Sequence, residues 1–292
     1  MNKPGTSHLK VALFIPTYNA GSDLEKLLAS VESQSEKPDL LAIIDSDSTD
    51  DTVATAERHD VKVTSIEKKD FTHGYARHKL IDLYPGYDIY IYLTQDAILA
   101  SSDSLKNVIA VFSDQKIGVA YGRQLPKSNA TLLERHNRDF NYPDKSYIRS
   151  KTDINEYGFK TIFCSNSFAA YRYTAYKEVG GFPVEAKFGE DTLITAKMIS
   201  KGWKIAYVAE APVYHSHNYS NKQEYERYIE IGKFHRQNPQ LYREFGKPAK
   251  EGVRFILSQF TYLIKRNPLR LFEMAAKTIS KWRGYKKGYK GN

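Results

Sequence analysis

The chain has one cysteine, Cys164, in 292 residues. No internal disulfide can form, so the small disulfide-stapled folds are excluded and a reducing cytoplasmic setting is expected. No apolar run approaches the ~18 residues that a membrane-crossing helix needs. The first ten residues are polar and lack the apolar core of a secretory signal. Residues 11–24 hold one glycine, Gly21, and no lysine. A glycine-rich phosphate loop with its lysine, as a sugar-nucleotide nucleotidyltransferase would carry, is therefore not expected. There is no internal repeat and no low-complexity linker. Acid is scarce at one end: after Glu273 come Lys277, Lys281, Arg283, Lys286, Lys287 and Lys290 with no Asp or Glu, so the net charge of +9 is unevenly placed. That tail reads as a frayed, solvated end or as a polybasic patch for anionic lipid. No recognised nucleic-acid motif accompanies it, and a nucleic-acid partner is not expected.

What is present describes a globular protein. Hydrophobic residues make up 41% and charged residues 26%. The length suits one large domain or a domain with an appendage. Strand and helix signals alternate. Residues 10–15, 40–44, 61–66, 89–93 and 118–121 read as strands; residues 23–33, 48–58, 74–83 and 105–112 read as helices. This rhythm predicts an α/β fold with a mostly parallel sheet flanked by helices. Residues 124–160 break it with a long polar stretch, expected as a loop that forms an ordered wall, a mobile lid or an unrecognised helix. The pattern resumes with 162–171, a helix over 173–179, a helix over 192–201 and a strand over 204–208. Beyond Tyr219 three helices are expected, near 222–234, 252–264 and 269–282. The division is residues 1–218 as a catalytic domain and 219–292 as a C-terminal helical appendage with a basic tail.

The densest signal is the run from Tyr90 to Ala97, an apolar strand that ends in the lone carboxylate Asp96. Ligands bind at the carboxyl edge of open α/β sheets, and a carboxylate there suits a divalent cation shared with a diphosphate. Three other segments carry polar residues to the same edge: Pro16-Thr17-Tyr18-Asn19 after the first strand, Asp45-Ser46-Asp47-Ser48-Thr49-Asp50 after the second, and Phe188-Gly189-Glu190-Asp191 at a helix start. Each alone resembles a helix cap; together they describe a nucleotide and metal site with a nearby base.

These motifs, with Gly-Gly-Phe-Pro at 180–183, occur in the order and spacing of family 2 glycosyltransferases, and the chain resembles that family with its GT-A (Rossmann-like) fold. It is similar more narrowly to bacterial rhamnosyltransferases of polysaccharide and O-antigen assembly. The narrower likeness rests on Phe71-Thr-His73-Gly74-Tyr-Ala-Arg77-His78, Cys164-Ser-Asn166, His215-Ser-His217-Asn218-Tyr219-Ser220 and Ile231-Gly-Lys-Phe-His235.

The resemblance implies roles. Pro16, Thr17, Tyr18, Asn19 and Asp45 would contact the base and ribose, with Asp47 assisting or capping. His73, Gly74 and Arg77 would lie near the diphosphate, where a guanidinium fork suits phosphate oxygens. Gln95 and Asp96 would face the donor. Asp96 is the expected metal ligand, joined by His217 first and His215 second, for Mg²⁺ or Mn²⁺. Thr94 stands where the family's usual signature carries a further acid. Asp191 is the expected catalytic base of an inverting transfer, with Glu190, Asn166 and Trp203 on the acceptor side. The implied donor is a dTDP-sugar, dTDP-β-L-rhamnose, and the implied acceptor an oligosaccharide or lipid-linked glycan. The tail suggests peripheral membrane contact at the inner face of the plasma membrane, or a homodimer. A UDP-hexose donor and a non-catalytic glycan-binding module are the alternatives.

Overall fold

A computed structural model describes residues 9–247 and 249–291. In chain order the elements are β1 (Val11–Thr17), α1 (Ser22–Glu32), β2 (Leu40–Asp45), α2 (Thr52–Arg58), β3 (Lys62–Ser65), α3 (His73–Leu83), β4 (Ile89–Leu93), β5 (Ile98–Leu99), α4 (Ser104–Ala110) and β6 (Ile117–Leu125). There follow α5 (Leu132–Asn141), β7 (Tyr147–Arg149), α6 (Ile154–Tyr157), β8 (Phe168–Arg172), α7 (Tyr173–Glu178), α8 (Glu190–Ser200) and β9 (Lys204–Tyr214). Four helices complete the described chain: α9 (Asn221–Gln237), α10 (Pro239–Phe245), α11 (Ala249–Arg266) and α12 (Leu271–Lys290).

The strands form one sheet in the order β3-β2-β1-β4-β8-β6-β9-β5, with β7 paired to β9. β1 runs parallel to β2 and β4, and β2 to β3. β8 is antiparallel to both β4 and β6, and β9 is parallel to β6. Thus β1, β2, β4, β6 and β9 all end at the same edge. β8 begins there, so the residues that precede it join the same rim. The short β5 and β7 pair antiparallel with β9. The result is the mixed, mostly parallel sheet flanked by helices that the alternating pattern predicts.

Each strand feeds two cores because successive side chains point to opposite faces. Along β4, Tyr90 and Tyr92 enter one core while Ile89, Ile91 and Leu93 enter the other. Leu24, Leu27, Leu28 and Val31 close one face from α1, with Leu105, Val108 and Ile109 from α4. Ala76, Leu80 and Ile81 from α3 and Ile194, Met198 and Ile199 from α8 close the other. A fully buried Ile or Leu contributes roughly 1.5–3 kcal/mol before the entropy of ordering the chain is set against it. Tyr90, Tyr92, Tyr121, Tyr171 and Tyr207 are buried in this packing, as is Phe182, whose ring lies edge-on to Tyr92 and Tyr171.

Of the alternatives for residues 124–160, the structure has an ordered segment with an unrecognised helix: β6 extends to Leu125, and α5, β7 and α6 follow. Two expectations change. α2 begins at Thr52 rather than at Ser48, because Asp45 and Asp50 fold the intervening loop onto the turn after β1. The basic end is helical to Lys290, not frayed. α12 lies on α9 with backbone against backbone. A Cβ at Gly284 would overlap the Tyr225 carbonyl, and one at Gly288 the Ile229 carbonyl, so glycine at these two sites is what lets the helices close. Phe234, Leu241 and Phe245 share the sheet's core, so packing is continuous across residue 218. Among the described residues no helix is long and apolar enough to cross a membrane.

Candidate active site

The common strand edge carries the polar loops. After β1, the turn at Tyr18 and Asn19 is tied down by its neighbours. Gln95 accepts from the Tyr18 amide at 2.8 Å and donates to the Tyr18 carbonyl at 3.1 Å. Asn19, in the left-handed region, accepts from the Thr49 amide at 2.8 Å, and its own amide donates to Ser48 Oγ at 2.8 Å. Asp45 is buried and accepts from Thr17 Oγ1 at 2.9 Å, from Ser48 Oγ at 2.6 Å and from the Ser48 amide at 2.9 Å. Its first effect is therefore to hold β1 and β2 loops together. Asp47 is exposed and left-handed; it does not cap α2. Tyr18 is exposed, with Lys68 Nζ 4.2 Å from its ring centroid. Pro16 and Thr17 are the last residues of β1. These residues line one end of the edge together, as the sequence predicts, with Gln95 as a clamp on the turn.

At the centre, Asp96 follows β4, and His215 and His217 follow β9. His215 Nε2 lies 3.5 Å from Asp96 Oδ1, His217 Nε2 lies 3.4 Å from Asp96 Oδ2, and the two Nε2 atoms are 3.1 Å apart. Ligands bound side by side at ~2.1 Å from one cation stand about 3 Å apart, so the two ring nitrogens and the carboxylate lie near the spacing of a coordination face. Burial pushes His217 down to about 4, with His215 beside it adding to the effect, so the ring is neutral and has a lone pair to offer near pH 7. Burial opposes the Asp96 charge, but His215, His217 and Lys127 outweigh it and hold the carboxyl well below its usual range. Lys127 Nζ is 3.5 Å from Asp96 Oδ2. Thr94 Oγ1, on the same cleft, is buried with no partner among the described residues. A two-imidazole, one-carboxylate set with an unspent hydroxyl nearby fits a divalent cation that carries oxygen ligands of its own. The sequence favours His217 and ranks His215 second; the structure brings both to Asp96.

The third part is the start of α8. Glu190 is buried, with Arg77 Nη1 3.1 Å and Asn166 Nδ2 2.9 Å from its Oε1. Burial works against its charge, but Arg77, His73 and Asn166 hold it below the usual carboxylate range. Asp191 differs. It keeps part of its surface on the cleft yet is enclosed on most sides; burial first and the Glu190 charge second raise it to about 7, against backbone N–H donors from Thr192 and Asn166. Two adjacent acids are thus driven apart, one fixed as an anion and one set to exchange a proton at neutral pH.

Several expected roles are revised by position. Arg77 is 3% exposed and its Nη1 is engaged by Glu190 and, at 3.1 Å, by the His73 carbonyl; it secures the acid pair instead of presenting a free fork. Gly74 gives its close approach to protein, not ligand: its amide donates to the Ala186 carbonyl at 3.0 Å and a Cβ there would overlap the Pro183 carbonyl. His73 is exposed beside Phe71 at the mouth of the cleft. Glu190 and Asn166 form the floor beneath Asp191. Trp203 is not brought to the site. It sits just before β9, at the opposite edge of the sheet from His215, and donates through Nε1 to Glu178 at 2.9 Å.

The cleft encloses about 360 Å³. It contains residues the sequence did not single out: Gln124 from β6, Glu134 and Arg138 from α5, and Glu224 and Arg227 from the α9 side. A signal for α5 exists in Thr131-Leu-Leu-Glu134, the spacing of a helix-capping pair; Thr131 Oγ1 does accept from the Glu134 amide at 3.3 Å.

Comparison with known proteins gives this geometry a family. The family described as Glycosyl transferase family 2 matches residues 12–180. The O-antigen chain rhamnosyltransferase RfbN of Salmonella typhimurium is 44% identical over 281 residues, 96% of this chain and 90% of the relative. The O-antigen chain rhamnosyltransferase WbaN of Salmonella anatum is 41% identical over 277 residues, 94% and 88% of the two chains. A mannosyltransferase of Pyrobaculum calidifontis, PcManGT, solved with GDP-Man and Mn²⁺, superposes with a TM-score of 0.61 at 15% identity, over 98% of this chain and 84% of the other. At that identity the likeness establishes the fold, which is GT-A. The chain is a glycosyltransferase and belongs to glycosyltransferase family 2.

Proposed function

We propose that this enzyme transfers L-rhamnose from dTDP-β-L-rhamnose, with inversion, to a hydroxyl of a growing, lipid-linked bacterial surface polysaccharide. The likeness to RfbN and WbaN over nearly the whole chain supports the sugar and the O-antigen setting. The observation that carries the mechanism is Asp191, held near 7 on the cleft that also contains His215 and His217, the two histidines beside Asp96.

The acceptor hydroxyl attacks the anomeric carbon from the face opposite the diphosphate. Asp191 takes the hydroxyl proton as the new C–O bond forms and the bond to dTDP breaks with its electron pair. Glu190 stays ionised on Arg77 and keeps Asp191 basic. Asp96, His215 and His217 would hold Mg²⁺ or Mn²⁺, which when bound supplies positive charge against the diphosphate. Lys127, beside Asp96, adds a fixed positive charge at the same place. The turn at Pro16–Asn19 with Asp45 and Asp47 would receive the thymidine end.

The tail supports a peripheral contact with an anionic bilayer. Where α11 gives way to α12, Leu269 is 78% and Phe272 80% exposed, with Lys265, Arg266 and Arg270 near them in the chain. Val253, Leu257, Phe260 and Ile264 continue the apolar stripe along α11 at helical spacing. Residues 252–291 carry ten Lys and Arg against one acid, Glu273. An exposed apolar ridge in a basic field suits an anionic membrane interface. Flotation with phosphatidylglycerol vesicles should carry wild type and release L269E/F272E; equal flotation of the two would remove this ridge from membrane contact.

The donor is tested by incubating the protein with Mg²⁺ or Mn²⁺ and, separately, dTDP-rhamnose, dTDP-glucose, UDP-glucose, UDP-galactose and UDP-N-acetylglucosamine, and following nucleoside diphosphate release. Selective release of dTDP from dTDP-rhamnose is expected. Release from a UDP-sugar alone would overturn the rhamnosyl reading.

A further inference from the structure

We infer that Gln124 is a positioning residue that fixes the tautomer of His215 and so prepares its Nε2 to bind a divalent cation. The inference rests on the proposed cation reading of Asp96, His215 and His217, and concerns residues outside that set.

Gln124 is the penultimate residue of β6 and is 2% exposed. Its amide touches three side chains. Arg138 Nη1 meets Oε1, His215 Nδ1 lies 2.9 Å from the same Oε1, and Nε2 donates to Ser165 Oγ at 2.8 Å. Which end of a glutamine amide is oxygen is a chemical assignment, and here Arg138 makes it. A guanidinium has only donors, so the atom facing Arg138 must be the carbonyl oxygen. That oxygen can only accept, so the His215 nitrogen beside it must carry a proton. In the neutral form, the one with a lone pair to give a cation, the imidazole has one N–H. With it on Nδ1, the lone pair is on Nε2, the atom that faces Asp96 Oδ1 at 3.5 Å and His217 Nε2 at 3.1 Å.

Arg138 is itself fixed. Glu134, one turn earlier on α5, accepts from Arg138 Nε at 2.7 Å and from Nη2 at 2.5 Å, and Asn137 Nδ2 donates to its other oxygen at 3.1 Å. The order of contact is Glu134, Arg138, Gln124, His215. An ion pair on one helix thereby orients an amide on a strand, and the amide orients a ring at the end of another strand. Without Gln124, nothing in this chain of contacts favours the Nδ1–H form over its alternative. A ligand whose outer nitrogen is held by a hydrogen bond binds metal more tightly, and loss of such partners typically costs 10–100-fold in affinity.

The test uses full-length protein with ¹⁵N-labelled histidine and no metal, at a pH high enough that the His215 ring is neutral. Long-range ¹H–¹⁵N correlation reads the tautomer of His215 in wild type, in Gln124→Met, which removes the acceptor at similar volume, and in Gln124→Glu, which keeps it. Mn²⁺ affinity is then measured on the same three proteins by calorimetry, with thermal melts to show each is folded. The expected result is Nδ1–H in wild type and Gln124→Glu, loss of that form in Gln124→Met, and a ~10–100-fold weaker Mn²⁺ constant in Gln124→Met alone. Nε2–H in wild type, or a tautomer indifferent to Gln124→Met, overturns the inference. A changed tautomer with unchanged Mn²⁺ affinity also overturns it and leaves the cation site standing. Wild type that binds no Mn²⁺ removes the cation reading itself, and with it the role assigned to Gln124.

Discussion

Arg77 Nη1 stands 3.1 Å from Glu190 Oε1 with both side chains closed to solvent, at 3% and 7% exposure. This pair determines what its neighbour can do. Because Glu190 keeps its charge, Asp191, one residue on and largely enclosed, is pushed up to about 7 by burial and by that charge. A base is most useful when its pKa lies near the working pH.

Asp191→Asn should bind dTDP-rhamnose as wild type does and lose ~10²–10⁴-fold in kcat, the usual contribution of a positioned base. Calorimetric binding beside steady-state turnover checks it.

The same variant should melt higher than wild type at pH 8. The Asp191 pKa is raised in the folded state, so its stabilising contribution is complete below the unfolded value near 4 and is lost as pH rises through about 7. Asparagine removes that loss. The gap in melting temperature should narrow on acidification towards pH 5, which differential scanning calorimetry reads.

Asp96→Ala, His215→Ala and His217→Ala should each weaken Mn²⁺ binding, with Asp96→Ala the most severe because it removes the one charged ligand. Titration calorimetry of the three variants checks this order. A variant that binds Mn²⁺ as tightly as wild type would be struck from the set.

Gly288→Ala should destabilise by ~1–3 kcal/mol, since its Cβ overlaps the Ile229 carbonyl and one of two packed helices must move. Gly252→Ala on exposed α11, where a Cβ meets nothing within 4 Å, should be neutral or slightly stabilising. Urea unfolding of the two variants compares them directly.

Local chemistry made part of this legible in the sequence. The apolar run before Asp96 could only be a buried strand, and the alternation around it placed that strand in a parallel sheet with its carboxylate at the ligand edge. The choice of Asp191 over Glu190, and of His217 ahead of His215, came from the family resemblance. Interactions between distant segments were not readable. Nothing near Arg77 announces that its partner is Glu190, 113 positions on, so a buried guanidinium read as a free phosphate fork. Trp203 read as an acceptor contact because it is aromatic, yet it directly precedes β9, at the wrong end of that strand. The strand continues past Val208 through a register shift to Tyr214, and that extension is what delivers His215. α5 was hidden by its polar face: Glu134, Asn137 and Arg138 face the cleft, so the segment lacks the apolar stripe by which a helix is usually recognised.

The central claim is that Asp191 is the base and that the Glu190 charge adds to burial in raising its pKa. The pH dependence of kcat, measured at saturating donor from about pH 5 to pH 9 on wild type and Glu190→Gln, tests it most directly. Wild-type activity should rise with pH through a single ionisation near 7. Glu190→Gln removes the neighbouring negative charge and frees Arg77 to act on Asp191, so its ionisation should move to lower pH. A flat wild-type profile, or a Glu190→Gln profile displaced to higher pH, would contradict the account.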